Sequence, residues 1–483
     1  MKSKIILILT LFISMRAFSQ IPILWGIATF YGASGEGSLY KINADGTGFV
    51  QWNLPSNIRG TVFAGTVTQA PNGIFYGMTN GGGSSGIGDI FSFNPTNNTF
   101  NNVLNFNGSN GGGPRGTMLL ANNSLLYGVT TGGASGGSGC PSPSCGGTLF
   151  SLDPSTNIYT PLYFFGCNGC FPWYGLIQAN NNLLYGLTTN GGINSCSSTG
   201  GNCGTIYSFD INTNTYSKLY DFDGTRGSNP YGNLLQASSG LLYGVTTNGG
   251  AYSNGVLFSF NISNNTYTKL SDFNFGTYGN GQGTLVEVNN ILYGLIGSTT
   301  YPNGLIYSYN ILTDSFDIVH VFTSSNSSAP LGSLIKASNG ILYGTASAGG
   351  SDCINYTSCG TVFSLDPSTN NYLDLYHFDI LDSGARVPVN LTEYNPTYNS
   401  IKVFDNKTLI AIYPNPNNGS FVIEPSNATK QTMQVYDVNG KLVLSQPITG
   451  KTSIDAVSLN EGVYNICLTS NEGVVNKRLV IVR

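Results

Sequence analysis

The sequence predicts an all-β chain, a seven-bladed β-propeller closed by a C-terminal strand and followed by a small C-terminal β-sandwich. Three observations predict it. An aromatic-Gly pair returns at Trp25-Gly26, Tyr76-Gly77, Tyr127-Gly128, Tyr185-Gly186, Tyr243-Gly244, Tyr293-Gly294 and Tyr343-Gly344. The steps between these pairs are 51, 51, 58, 58, 50 and 50 residues, a period expected of small units that bury their apolar faces only by stacking. A second phrase follows each pair, at Leu39-Tyr40, Ile90-Phe91, Leu149-Phe150, Ile206-Tyr207, Leu257-Phe258, Ile306-Tyr307 and Val362-Phe363.

The fifth copy displays the unit. Residues 233–237 are a short apolar run, 241–247 alternate apolar and small, and 256–260 and 267–273 are two further alternating runs. Turn residues separate them, as expected of four antiparallel strands, here named a to d. The a–b connection carries Asn72-Gly73 and Asn339-Gly340, a hairpin signal because both residues accept positive φ. A four-stranded unit of about fifty residues fits a propeller blade, and a β-helix rung is far shorter. The tyrosines are expected to fill space between neighbouring blades, and the glycine after each to permit close backbone approach.

Copy one begins at strand b, so its strand a must come from elsewhere. The alternating segment 387–393, Val-Pro-Val-Asn-Leu-Thr-Glu, has no strand b behind it and is expected to complete that blade. Successive strands reverse direction, which places the a–b and c–d turns at one end and the b–c and d–a connections at the other. The c–d turns keep one length. The b–c separations, from aromatic to the glycine opening strand c, are 12, 12, 20, 19, 12, 11 and 17 residues. Variable loops on a constant frame are where function collects, so the b–c and d–a end is the expected working face.

The three longest b–c loops each carry two cysteines: Cys140 and Cys145, Cys196 and Cys203, Cys353 and Cys359. Cys167 and Cys170 lie in a d–a loop. In an exported chain these read as four local disulfides stiffening insertions without a core of their own; a zinc site using Cys167 and Cys170 is the alternative. Cys467 is left over. Residues 1–19 read as a signal peptide, with Lys2 and Lys4 ahead of an apolar stretch and Ala17-Phe18-Ser19 as a cleavage site. That stretch is too short to span a bilayer, so no integral membrane segment is expected. Charged residues make up 9% of the chain, its net charge is −4, and aromatics reach 12%. Such a composition argues for a packed fold and against nucleic-acid partners.

Catalytic patterns are scarce, and no catalytic residue, metal or cofactor is assigned. His320 and His377 read as equivalent structural positions in two d strands. Asp221, Asp223 and Asp272 lie near the working face, where carboxylate chemistry on sugars is one reading and solvated turns the other. Binding has more support. The residues before the glycine opening strand a are Ala64, Arg115, Tyr174, Tyr231, Gln282 and Leu331, with Trp173 beside Tyr174. Arg115, Trp173, Tyr174, Tyr231 and Gln282 combine aromatic, guanidinium and amide groups able to hold a glycan or another extracellular polymer. The alternatives are an exported polysaccharide-degrading hydrolase or lyase, and a non-catalytic envelope scaffold.

Two resemblances accompany these readings. The run Phe222-x-Gly224-x-x-Gly227-x-x-Pro230-x-Gly232-x-Leu234, then Leu242-Tyr-Gly-Val-Thr-Thr-x-Gly-Gly250 and Gly255-x-Leu-Phe-Ser-Phe260, resembles the GloVer (Gloeobacter/Verrucomicrobia) tandem repeat, similar to kelch-like propellers. The resemblance covers about residues 21 to 393 and implies a secreted repeat protein of undefined activity; it brings no catalytic residues with it. The tail carries Tyr413-Pro-Asn-Pro-Asn-Asn-Gly419, Val435-Tyr-Asp-Val-Asn-Gly-Lys-Leu-Val443, Leu459-Asn-Glu-Gly-Val-Tyr464 and Lys477-Arg-Leu-Val-Ile-Val-Arg483. It resembles a type IX secretion (Por) C-terminal sorting domain of Bacteroidota. That likeness implies engagement of the type IX machinery and a secreted or outer-membrane-surface location after signal-peptide cleavage. The expected division is 1–19 signal peptide, 20–393 propeller, 394–408 linker and 409–483 sorting domain.

Overall fold

The computed structural model describes residues 21–28, 37–58, 65–133, 146–166, 169–196, 201–274, 280–297, 304–323, 327–330, 332–349, 360–378, 388–394, 411–415, 417–424, 430–437, 442–470 and 473–482. The expected signal peptide and all of the expected linker except Tyr394 lie outside them. Among the described residues the regular elements are β-strands, and no helix is long and apolar enough to cross a membrane.

Seven antiparallel sheets follow the seven copies among the described residues. In the fifth, Ser228–Gln236, Leu242–Asn248, Val256–Asn261 and Thr266–Asp272 lie side by side in chain order. The first sheet is different. Ile23–Ala28, Ser38–Asn43 and Val50–Asn53 are joined by Pro388–Glu393, which runs antiparallel to the first of them. Leu24 faces Glu393 and Gly26 faces Leu391, so the strand missing from copy one comes from the far end of the repeat region. Val387, expected to begin that strand, lies outside the described residues.

The glycine of each aromatic-Gly pair does something other than the expected close backbone approach. It faces the strand-c aromatic, as Gly77 faces Phe91, Gly128 faces Phe150 and Gly244 faces Phe258. A methyl group on Gly128 would stand 2.4 Å from the Phe150 ring. The glycine is a slot for a fully buried ring, an arrangement that lends a weak strand residue a large apolar cover. Register pins this ring to its slot, because a slip of one residue would turn it to the other face.

Each sheet shares a buried cluster with the next. Tyr76, Ile90 and Phe106 of the second pack with Leu126, Phe150 and Leu152 of the third. The series ends with Tyr343 and Val362 of the seventh sheet packed against Leu24, Tyr40 and Leu391 of the first. The tyrosines lie between neighbours as expected, and their hydroxyls reach further: Tyr76 donates to the Pro154 carbonyl of the third sheet's c–d turn at 2.9 Å. Flat ring pairs tie adjacent d strands together, Tyr163 on Tyr216 at 4.0 Å, Tyr220 on Tyr267 at 4.2 Å and Tyr376 on Phe49 at 4.4 Å between centroids.

Past residue 410 two smaller sheets share one apolar cluster. Ala411–Tyr413, Ser420–Glu424 and Thr452–Asp455 form one, and Leu442–Thr449, Lys430–Tyr436, Gly462–Ser470 and Gly473–Ile481 the other. Phe421 and Ile423 from the first pack with Met433, Val435, Ile466 and Leu479 from the second.

Leu391 is 2% exposed in the cluster that joins the last sheet to the first. Replacing it with alanine is expected to cost about 3 kcal/mol, read as a lower urea midpoint for the repeat region; an unchanged midpoint would show that this strand does not hold the two ends together.

Candidate functional site

Strand a opens where successive sheets converge. A methyl group on Gly65 would stand 2.8 Å from Gly116 O, on Gly116 2.4 Å from Gly175 N, on Gly232 2.1 Å from Gly283 O, and on Gly283 2.3 Å from Gly332 O. Backbone meets backbone around this collar, and only glycine allows it. Hydrogen bonds cross the same seam: Thr66 N–H donates to Thr117 Oγ1 at 2.9 Å, Asn233 N–H to Thr284 Oγ1 at 3.1 Å, and Thr284 N–H to Ser333 Oγ at 2.9 Å.

The fourth copy departs from this pattern. Gln178 pairs with Leu184 as Leu120 pairs with Leu126. Counting back from these pairs places Trp173 level with Arg115, and Tyr174 level with Gly116. The run from Pro172 to Gln178 is as long as that from Pro114 to Leu120, so Tyr174 stands by substitution where other copies carry a collar glycine. Tyr174 is accordingly only 8% exposed, whereas Trp173 is half-buried at the position expected for Tyr174.

Four of the five expected rim residues come together. The Arg115 guanidinium lies over the Trp173 ring, 4.5 Å from its centroid, in the geometry of a cation–π contact. The Tyr174 and Tyr231 rings meet at 4.5 Å with a tilt of 50°. Burial pushes the Tyr174 hydroxyl well above its ordinary range; Tyr231 adds to this and the Arg115 charge opposes it. It is a neutral donor and acceptor rather than a base. Arg115, Trp173 and Tyr231 remain half-buried, leaving aromatic faces and a cation partly open. The backbone of Gln282 pairs with Leu295, and its side chain lies outside the described residues, as do Ala64 and Leu331.

The carboxylates weighed for sugar chemistry have other partners. Asp221 meets Lys218 at 2.9 Å, Asp223 meets Arg226 at 2.8 Å and Asp272 meets Lys269 at 2.7 Å. Asp221 and Asp272 also accept from the backbone of the b–c loops, at Ile193 N and Ala251 N. Hydrogen bonds and the neighbouring cation outweigh burial at Asp223 and Asp272, holding both below the usual carboxylate range. Such groups cap loops and are poor general acids.

The two histidines are not equivalent, contrary to expectation. His320 faces Ile306, and its counterpart is Tyr376, which faces Val362; His377 faces Thr361, one residue further along. His320 stacks on Tyr372 at 3.8 Å and 9°, replacing the tyrosine of the ring pairs described above. Burial depresses its pKa.

Cys196 and Cys203 form a disulfide, and Cys170 is disulfide-bonded. Cys140, Cys145, Cys167, Cys353 and Cys359 lie outside the described residues. The bridge was expected to stiffen an insertion lacking a core. Instead both cysteines are buried within the cluster shared by the fourth and fifth sheets, beside Phe222, Leu234 and Val256. Serine at both positions is expected to lower stability by at least about 2 kcal/mol, measured by thermal melting with and without reductant. Equal melts of parent and variant would deny the bridge a stabilising role.

One acid escaped the sequence reading. Asp89 opens strand c of the second sheet, where other copies carry Thr148, Thr205 and Thr361. It is fully buried, accepts from Thr79 Oγ1 at 2.7 Å, and is pushed up to about 7, burial outweighing that bond. Because the folded pKa lies above the unfolded one, its contribution is present below about pH 4 and is lost as pH rises through 7. Asp89→Thr should therefore raise the melting temperature at pH 8 and flatten its decline between pH 4 and 7. A parallel decline in parent and variant would contradict this.

Comparison with known proteins adds the following. A family model described as the Gloeobacter/Verrucomicrobia repeat matches residues 22–200, 140–300 and 196–401. A second, described as a secretion system C-terminal sorting domain, matches residues 411–482. No curated protein is significantly similar in sequence. Among solved structures, a candidate 6-phosphogluconolactonase from Bacteroides uniformis aligns with 77% of this chain and 100% of its own at 12% identity, TM-score 0.53. Another from Bacteroides fragilis covers 78% of this chain and 99% of its own at 12% identity, TM-score 0.52. The β-propeller domain of the trilobed protease from Pyrococcus furiosus covers 74% and 97% at 10% identity, TM-score 0.44. At such identities the likeness concerns fold alone, and the fold is a β-propeller.

Proposed function

The chain belongs to the Gloeobacter/Verrucomicrobia repeat family, and from that premise we propose an exported β-propeller that binds an extracellular glycan through the rim formed by Arg115, Trp173, Tyr174 and Tyr231. The sorting domain at residues 411–482 supports export by type IX secretion to the cell surface or the medium. In this reading residues 1–19 are a signal peptide, residues 20–393 form seven blades closed by Pro388–Glu393, and the two sheets after residue 408 form a sandwich recognised by the secretion machinery. The shared clusters that run from sheet to sheet and return to the first support a closed ring.

The observation that carries the binding reading is the Arg115–Trp173 contact beside the Tyr174–Tyr231 pair. Half-exposed aromatic faces stack on the apolar face of a pyranose, and a guanidinium offers donors to its hydroxyls. Tyr174, buried beneath, holds the orientation of Tyr231. With the full-length chain on a glycan array, Trp173→Ala and Tyr231→Ala are each expected to weaken the strongest signals about tenfold. Identical profiles for parent and both variants would remove the rim as the binding site.

A further inference from the structure

The repeats act as controls for one another, and among the described residues one junction brings together groups that conflict. On the face of the a–b and c–d turns, the residue after strand a donates its N–H to a side chain of the next sheet. Asn122 N–H meets Gln178 Oε1 at 2.8 Å, Asn180 N–H meets Gln236 Oε1 at 2.7 Å, Ser238 N–H meets Glu287 Oε2 at 2.7 Å, and Ser338 N–H meets Glu393 Oε2 at 2.9 Å. Between the second and third sheets both partners change together: Pro71 has no N–H and Leu120 has no acceptor. Between the sixth and seventh they conflict. Asn289 takes the donor position, and Lys336, a group with donors only, takes the acceptor position.

A cavity of about 530 Å³ opens at that junction, lined among others by Asn289, Ile291, Tyr293, Lys336 and Ile341. Its room comes from the sixth sheet's a–b turn, where Asn289 and Asn290 alone connect Val288 to Ile291, both with positive φ. Glu287 and Leu292 pair across four residues there, whereas Gln236 and Leu242 pair across five in the sheet before. The shortened turn and the reversed charge fall at the same junction.

We propose that this cavity binds a small carboxylate, an acidic sugar being the class its size and lining fit. The ligand's carboxylate takes the place that Glu287 and Glu393 fill at the flanking junctions, accepting from the Asn289 N–H and the Lys336 ammonium. Ile291, Ile341 and the Tyr293 ring give the sugar an apolar wall. Asp366 also lines the cavity, but its oxygens are held by Ser368 N at 2.8 Å, Ser368 Oγ at 2.7 Å and Thr369 Oγ1 at 3.0 Å. At the next junction burial, together with the Glu393 and Asp45 charges, raises the Tyr343 hydroxyl, so two acids stand near that ring as well.

The test titrates the full chain with glucuronate, acetate and glucose at low salt, followed by calorimetry. In the part of the heat that Lys336→Glu removes, glucuronate is expected to bind more tightly than acetate, and glucose not at all. Lys336→Glu supplies the missing acceptor internally, so it should abolish glucuronate binding and raise the melting temperature by about 2 °C. Lys336→Ala should weaken binding about tenfold while leaving the rim's glycan-array signals as in the parent, which separates this site from the rim. The proposal is overturned if the parent gives no heat with glucuronate up to roughly 50 mM, if glucose or acetate matches glucuronate, or if Lys336→Glu binds as the parent does.

Discussion

No sheet in the repeat region can bury its own aromatic residues, and this single constraint organises the rest. A strand-c ring drops into the slot left by the strand-b glycine, and its outer face is covered only by the neighbouring sheet. Phe150, fully buried, lies over Gly128 in its own sheet yet packs with Tyr76 and Phe106 of the sheet before. Apolar area leaves water only when two sheets meet, so each sheet depends on its neighbours. The first sheet obeys the same rule at Tyr40, which packs with Tyr343 and Phe378 of the seventh.

With the interior committed to packing, chemistry is displaced to the edges. Carboxylates that look available in the sequence hold loops in place, as Asp272 does for Lys269 and Ala251. A histidine serves as a stacking ring on Tyr372. What is left over for recognition is found where a copy breaks the rule of the others. Copy four puts a buried tyrosine in a collar glycine's place, with an aromatic–guanidinium pair above it. Copy six loses a residue in its hairpin and gains a cavity. Deviation from the repeat, more than the repeat itself, marks where ligands are expected.

Much of this was legible in the sequence because strand period and turn chemistry are local. The recurring Tyr-Gly phrase, the constant c–d turns and the orphan strand at 388–393 are all readable from spacing. Less legible was anything that depends on register across strands. His320 and His377 look alike in the chain, but a one-residue offset before Phe322 and Phe378 puts them opposite different partners. Tyr174 precedes a glycine just as Arg115 does, yet that glycine, Gly175, is level with Thr117, so Tyr174 itself falls at the inward collar position. Cys196 and Cys203 were read from their loop, whose length says nothing of the cluster beneath. Asp89 was visible as an acid where other copies carry threonine; its burial became apparent only when the strands were assembled.

The pairing of Ile23–Ala28 with Pro388–Glu393 has a consequence for biogenesis. Every other sheet of the repeat region is assembled from consecutive segments and can form as soon as it is synthesised. The earliest strand alone must wait for more than three hundred residues, its hydrogen-bonding edge unpaired meanwhile. An unpaired apolar edge is a template for association between nascent chains. A chain travelling to the cell exterior therefore gains from staying unfolded, or from a chaperone at its amino-terminal end, until its final hairpins have emerged.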